Sequence, residues 1–195
     1  MRGFKTFMER PLAPDDVKVR LPKVRQQTNY SCGAAAFRAV CDYFCVGPDT
    51  EEDFIDALHS TSEDGTLPEN IVKAARKWGL AVVLQNHMPL RELLHHLDAG
   101  RPVICAMQAW GDRDDYEKDY EDGHYVVAVG YDDNHVYFED PAMDGRARGY
   151  LKIREFLQRW HDEDANGHIF HHLGIIFDKK DKDSSSHIRK AKKIQ

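Results

Sequence analysis

Residues 26–36 read QQTNYSCGAAA, and Cys32 within this stretch decides how the rest of the chain is interpreted. Apolar residues recur at helical spacing up to Phe44, which predicts a helix over residues 31–44 with Cys32 in its first turn. A thiol attacks as its thiolate, and the positive end of a helix dipole and the free backbone N–H groups there stabilise an anion. Cys32 is therefore a candidate nucleophile, and a buried, inert thiol is the alternative interpretation.

Two later segments carry the other side chains of a thiol-nucleophile site. His124 opens one strand-like run, Asp140 closes the next, and the turn formers Asp132, Asp133 and Asn134 lie between them. Opposed residues of an antiparallel hairpin have a constant index sum, here about 264 to 266, which places His124 beside Asp140. The carboxylate can then orient the imidazole and stabilise its charged form.

The glutamine six positions before the cysteine is a candidate oxyanion donor. Gln26 could donate its side-chain amide, with the backbone N–H of Cys32 as the second donor. The neighbouring Gln27 competes for the same role. Three residues that flank the nucleophile and the histidine are expected to contact substrate: Gly33, Gly123 and Tyr125.

Hydrophobic periodicity and turn residues predict the remaining elements. The predicted helices cover residues 51–59, 68–78, 89–98 and 153–160, and the predicted strands cover residues 80–84, 102–109, 125–129, 136–138 and 169–177. The first half is helix-rich and the second half is strand-rich, which predicts an α+β fold with the helix of Cys32 packed on a C-terminal antiparallel sheet. We expect an irregular N-terminal arm over residues 1–25, one domain over residues 26–178 and a polar, disordered tail over residues 179–195.

Composition excludes several classes of protein. The chain has 195 residues, 42% hydrophobic and 31% charged, which suits a single globular domain. A net charge of -6 argues against a nucleic-acid-binding surface. The sequence has neither an apolar run of signal-peptide length nor one of about eighteen residues that could span a membrane, so we expect a soluble, cytoplasmic protein. No cofactor is expected, and the oligomeric state is left open.

The other three cysteines are expected to be reduced, buried structural thiols. Cys41 and Cys45 lie four apart on a predicted helix, but no Cys or His pair at zinc-site spacing accompanies them. Cys105 lies in a predicted buried strand. A chain of this size without a secretory signal keeps such thiols reduced.

The quoted residues resemble a known family. Residues 26–36, 123–127 and 139–141 are similar to the bacteriocin-processing, double-glycine leader peptidases of the papain-like cysteine peptidase clan, over roughly residues 24–177. The resemblance implies a papain-like fold and a peptide or protein substrate. It also implies the roles of four residues: Cys32 as nucleophile, His124 as general base and acid, Asp140 as orienter and Gln26 as oxyanion donor.

Several alternatives stay open at the level of the sequence. The same thioester chemistry serves deamidases and acyl transferases. A catalytically silent peptide-binding module would keep the fold alone, and a metal-binding protein would use local His pairs such as His95-His96 and His171-His172. The acidic segment 112–122 precedes the histidine directly and could rim the site. It is either a solvated, flexible loop or a surface that recognises a basic substrate or a cation.

Overall fold

The computed structural model describes residues 16–109, 116–143 and 148–180. The helices within these ranges are α1 Cys32–Phe44, α2 Glu51–Leu58, α3 Pro68–Lys77, α4 Leu90–Asp98 and α5 Ile153–Arg159. The strands are β1 Leu80–Gln85, β2 Val103–Gln108, β3 Gly123–Tyr131, β4 His135–Glu139, β5 Gly149–Lys152, β6 His161–Glu163, β7 Ile169–His171 and β8 Gly174–Lys179. A short 3₁₀ turn covers Tyr116–Lys118.

Local sequence explains where the helices begin and end. The Thr50 side chain caps α2 by accepting a hydrogen bond from the Asp53 backbone N–H at 3.2 Å. Pro68 occupies the first position of α3, where its missing N–H costs no hydrogen bond. Gly79 follows α3 with a φ of 85°, a conformation that glycine adopts without strain.

Six strands form one antiparallel sheet in the order β1-β8-β2-β3-β4-β5. The strand β3 lies inside this sheet, paired with β2 on one side and β4 on the other. Every residue of β2 and of β4 is buried, and the helix α1 packs against β3. The N-terminus of α1 is thereby brought to the strand that carries His124, as the predicted α+β arrangement requires.

Part of the predicted N-terminal arm packs against this sheet. The backbone N–H groups of Lys18 and Val19 both donate to the Val129 carbonyl at 2.9 Å, and the Val19 and Leu21 side chains are buried. Residues 1–15 of the arm and residues 181–195 of the predicted tail lie outside the described residues. Lys179, the first residue of that predicted tail, is the last residue of β8 and pairs with Leu80.

The single closing strand predicted over residues 169–177 is wrong. It is two strands, because His172 has a positive φ of 52° and turns the chain between them. The first part, β7, pairs with β6 in a separate two-stranded sheet, and the second part, β8, returns to the main sheet between β1 and β2. Neither β5 nor β6 was predicted, and both are short.

Phe37 ties the helical half to the sheet. Its ring is fully buried and stacks on Trp78 at 5.4 Å and on Phe177 at 5.5 Å, and it meets the edge of Phe54 at 5.8 Å. These partners lie on α2, on β8 and at the end of α3. Removing the ring would therefore open a cavity between the two halves of the fold.

We expect Phe37→Ala to lower the free energy of unfolding by about 3–5 kcal/mol, the range for deleting a buried aromatic ring. The measurement is urea denaturation followed by circular dichroism. Val83→Ala is the control, since Val83 is 57% exposed and its truncation should cost less than about 1 kcal/mol. Equal losses in the two variants would contradict the packing described for Phe37.

Candidate active site

Cys32 is the first residue of α1, and the loop before it is fixed by a buried carboxylate. Glu51, at the start of α2, is fully buried. Its Oε1 accepts hydrogen bonds from the Ser31 hydroxyl at 2.7 Å and from the Gln27 backbone N–H at 2.8 Å. The Ser31 hydroxyl also accepts from the Thr28 backbone N–H at 3.1 Å. Glu51 therefore positions the turn that delivers Cys32, although the sequence identified it only as the start of a helix.

Gly33 lets α1 approach the sheet closely. A Cβ atom at this position would lie 2.6 Å from Thr66 Cβ and 3.0 Å from Tyr125 Cδ2, closer than side chains pack. The space beside Gly33 is thus filled by Thr66 and Tyr125. Its predicted contact with substrate stays a prediction.

His124 and Asp140 lie across the β3–β4 hairpin from each other. The strands pair Val127 with Glu139 and Ala128 with Phe138, an index sum of 266, within the predicted range. His124 Nε2 lies 2.8 Å from Asp140 Oδ1. Because Nε2 is engaged by Asp140, the other ring nitrogen, Nδ1, is left to contact Cys32. The Asp140 carboxylate is held in turn by the Ala142 backbone N–H at 2.8 Å.

The environment of His124 favours its charged form. Burial alone lowers the pKa of an imidazole, and His124 is 1% exposed. Hydrogen bonds to Asp140 and to Cys32, together with the negative charges of both groups, outweigh burial and raise the pKa of His124 to about 9. The imidazole is therefore protonated at neutral pH, next to Cys32 and the Asp140 carboxylate.

Gln26 lies at the other end of the loop that precedes Cys32. Its backbone N–H donates to the Pro141 carbonyl at 2.9 Å, next to Asp140. Its side-chain Nε2 donates to the Thr28 carbonyl at 2.8 Å, which uses one of the two amide hydrogens. Gln27 is exposed, and its backbone N–H is bound to Glu51. Neither glutamine is among the residues that line the cleft described next.

A cleft of about 220 Å³ opens beside Cys32 and His124. Two of the residues predicted to contact substrate, Gly123 and Tyr125, line it. The described lining also includes aromatic residues, carboxylates and the segment opposite Gly33: Tyr120, Phe170, Asp64, Glu121, Asp162, Glu163, Asp164, Gly65 and Thr66. Its size is below that of typical small-molecule sites, so it suits a single side chain better than a drug-sized ligand.

Asp162 is a carboxylate of this cleft that sequence reasoning missed. Its Oδ1 accepts hydrogen bonds from Gln108 Nε2 at 3.0 Å and from the Glu163 backbone N–H at 2.9 Å. Burial raises the pKa of Asp162 to about 7, against the opposing effects of these hydrogen bonds and of the charge on His124. In the sequence, Asp162 lies in a run of charged residues typical of a solvated surface, and no local signal distinguishes it.

Comparison with known proteins identifies the family. Residues 19–165 match the model of the Peptidase_C39-like family. The chain belongs to this family. An uncharacterized protein of Methanothermobacter marburgensis is 30% identical over 125 residues, which cover 64% of this chain and 74% of that protein.

Two solved structures share the fold. One is a double-glycine-motif protease from an AMS/PCAT transporter, in complex with the leader peptide. It is 21% identical to this protein with a TM-score of 0.60, and the match covers 83% of this chain and 94% of that chain. The other is the peptidase domain of Streptococcus ComA, a bifunctional ABC transporter, with a TM-score of 0.60, 21% identity and coverage of 82% and 98%. These matches confirm the predicted fold, and together with the family model they confirm the resemblance to the double-glycine peptidase family.

The described part of the predicted acidic segment, residues 116–122, is anchored rather than loose. The Arg159 guanidinium lies 3.7 Å from the Tyr116 ring and donates to the Ala109 carbonyl at 2.8 Å. His161 Nε2 lies 2.8 Å from the Asp119 carbonyl. Tyr120 and Glu121 line the cleft, so this part of the segment does rim the site in this member of the C39-like family; residues 112–115 lie outside the described residues.

The remaining thiols differ in exposure. All four cysteines are free, and Cys41 and Cys105 are buried, which raises the pKa of both thiols. The expectation of burial is wrong for Cys45, which follows the last residue of α1 and is exposed there. Among the described residues, no group of three or more His, Cys, Asp or Glu side chains could hold a metal ion, and no helix is long and apolar enough to cross a membrane.

We expect the imidazole of His124 to titrate with a midpoint near pH 9, above the ordinary value of 6.5, because its partners outweigh burial. Asp140→Asn should lower this midpoint, since the variant removes the carboxylate that favours the imidazolium. The measurement is the pH dependence of the ring-proton NMR signal, assigned by its loss in His124→Gln. Asp56→Asn, an exposed position on α2, is the control. A midpoint at or below 6.5 in the parent protein would contradict the geometry described here.

Proposed function

We propose that this protein is a cysteine peptidase that cleaves a peptide bond through Cys32, His124 and Asp140. The observation that carries the proposal is the 2.8 Å contact of His124 with Asp140. Next to this pair lies Cys32, at the start of α1, and the negative charge of Cys32 contributes to the raised pKa of His124. This arrangement supplies a nucleophile, a proton carrier and an orienting carboxylate in one place. Membership of the Peptidase_C39-like family supports the same reaction.

The reaction proceeds in two halves. The Cys32 thiolate attacks the carbonyl carbon, forming a C–S bond, and the resulting oxyanion collapses with rupture of the C–N bond. His124, protonated at neutral pH, donates its proton to the departing amine. Neutral His124 then removes a proton from water, the hydroxide attacks the thioester, and rupture of the C–S bond releases the acid and restores the Cys32 thiolate beside protonated His124. Asp140 orients the ring and stabilises its charge in both halves.

The developing oxyanion requires hydrogen-bond donors. The backbone N–H of Cys32 is one candidate, since the first N–H groups of a helix have no intrahelical partner. The second amide hydrogen of Gln26 is the other, because the first is bound to the Thr28 carbonyl. Gln27 is the competing donor. Loss of one such donor typically lowers turnover about 10²–10³-fold.

A peptide is the substrate class that the comparisons favour. The solved double-glycine-motif protease holds a leader peptide, and its chain is covered almost completely by this fold. A module that binds peptide without cutting it would need neither the cysteine nor the histidine.

Digestion of a degenerate peptide mixture, followed by mass spectrometry, tests the function. We expect cleavage by the parent protein, none by Cys32→Ala or His124→Ala, and reduced cleavage by Asp140→Asn, because the base is needed for proton transfer and the carboxylate orients it. Cys45→Ala, which removes the exposed thiol outside the cleft, is the matched control and should cleave normally.

Two further variants assign the oxyanion donor in the same assay. Gln26→Ala should lower kcat with little change in KM, and Gln27→Ala should be mild. Full cleavage by His124→Ala would contradict the mechanism. Peptide capture without cleavage by the parent protein would favour the silent binding module instead.

A further inference from the structure

Asp162 differs from the other carboxylates of the cleft. Asp64, Glu121 and Glu163 are exposed, and charged side chains of this kind are ordinary solvated surface. The Asp164 carboxylate is occupied within its own turn by the Asn166 and His168 backbone N–H groups. None of these four residues indicates a ligand by itself.

A fully buried residue holds Asp162 in place. Gln108, at the end of β2, is 0% exposed and donates from Nε2 to Asp162 Oδ1 at 3.0 Å and to the His161 carbonyl at 3.3 Å. The Gln108 Oε1 accepts from the Asp122 backbone N–H at 3.0 Å, so the amide is fixed at both ends. These bonds engage Oδ1 of Asp162. Among the described residues, none donates a hydrogen bond to its Oδ2.

Asp162 lies close to the reacting groups. A Cβ atom at Gly123 would lie 2.5 Å from Asp162 Oδ1, so the carboxylate packs directly on the backbone that precedes His124. Burial, followed by the negative charges of Asp162 and Cys32, raises the pKa of Tyr125 well above its usual range. Both charges are thus near the same ring.

The walls of the cleft suit a long, partly apolar side chain. The aromatic residues Tyr120, Tyr125 and Phe170 line it. Tyr125 is 8% exposed. Aromatic faces attract cations and cover the methylene stems of lysine and arginine. The described lining of the cleft contains no lysine or arginine, and its one cationic side chain, His124, is engaged by Asp140.

We infer that Asp162 is a specificity-determining residue that binds the lysine or arginine side chain of a peptide substrate, next to the bond that is cut. The inference rests on the proposed function, since it assigns the substrate of the same cleft. A cation bound to Oδ2 would complete the hydrogen bonding of the carboxylate. It would also offset the cost of holding a charge in a site where burial raises the pKa of Asp162 to about 7.

Two matched covalent probes test the inference. They are peptidyl chloromethyl ketones of one sequence, with either arginine or its uncharged isostere citrulline next to the ketone. The Cys32 thiolate forms a C–S bond and chloride leaves, so the labelling rate, followed by intact mass and peptide mapping, reports recognition without turnover. We expect the parent protein to react about 10²-fold faster with the arginine probe, the scale of a desolvated charge pair.

Asp162→Asn should abolish this preference, so that the ratio of the arginine rate to the citrulline rate falls to about one. Asp56→Asn removes a negative charge from the exposed face of α2, and this control variant should still react faster with the arginine probe. Equal rates of the two probes on the parent protein would overturn the inference, and this comparison needs no variant. A preference that survives in Asp162→Asn, or an equal slowing of both probes, would also overturn it.

Iodoacetamide separates failure of the inference from failure of the proposed function. This small reagent has no side chain for Asp162 to recognise, so labelling of Cys32 in the parent protein reports the nucleophile independently of any preference for arginine. Labelling of Cys32 by iodoacetamide without an arginine preference overturns the inference alone. No labelling of Cys32 by any of the three reagents would contradict the proposed nucleophile.

Discussion

The rest of the structure depends on the contact between the first turn of α1 and the beginning of β3. Gly33 has no side chain, and Thr66 and Tyr125 occupy the space that a Cβ atom would need. A larger residue would push the helix away from the sheet. Because Cys32 precedes Gly33 and His124 precedes Tyr125, this contact sets the separation of the thiol from the imidazole.

Buried polar side chains hold the loops that lead to these two residues. Glu51 binds the turn before Cys32, and Gln108 binds the end of the acidic segment before His124 as well as Asp162. Buried groups of this kind are costly unless they are hydrogen-bonded, so they fix one arrangement of the loops rather than many. His124 is subject to the same competition between burial and polar partners. Burial alone would leave it neutral, but its partners raise its pKa to about 9. The site is therefore organised by electrostatics as much as by packing.

Patterns local in sequence predicted much of this arrangement. Periodicity located α1 with Cys32 at its start, and hairpin register placed His124 near Asp140, because both depend on residues close along the chain. Glu51 and Asp162 escaped prediction because their partners lie 20 and 54 positions away. The break in the predicted strand 169–177 escaped as well, since neither the left-handed conformation of His172 nor the pairing of β7 with β6 has a signal in the local sequence.

Alkylation of the folded protein by iodoacetamide at neutral pH, with the modified cysteine identified by mass mapping, tests most directly whether Cys32 and His124 act as one unit. Cys32 is half-buried and Cys45 is exposed, so access alone favours Cys45. We predict that Cys32 is nevertheless modified first, because it lies at the start of a helix beside a protonated imidazole, a setting typical of reactive cysteines, and that His124→Ala removes this advantage. Faster modification of Cys45 in the parent protein, or an unchanged rate at Cys32 in His124→Ala, would contradict the account.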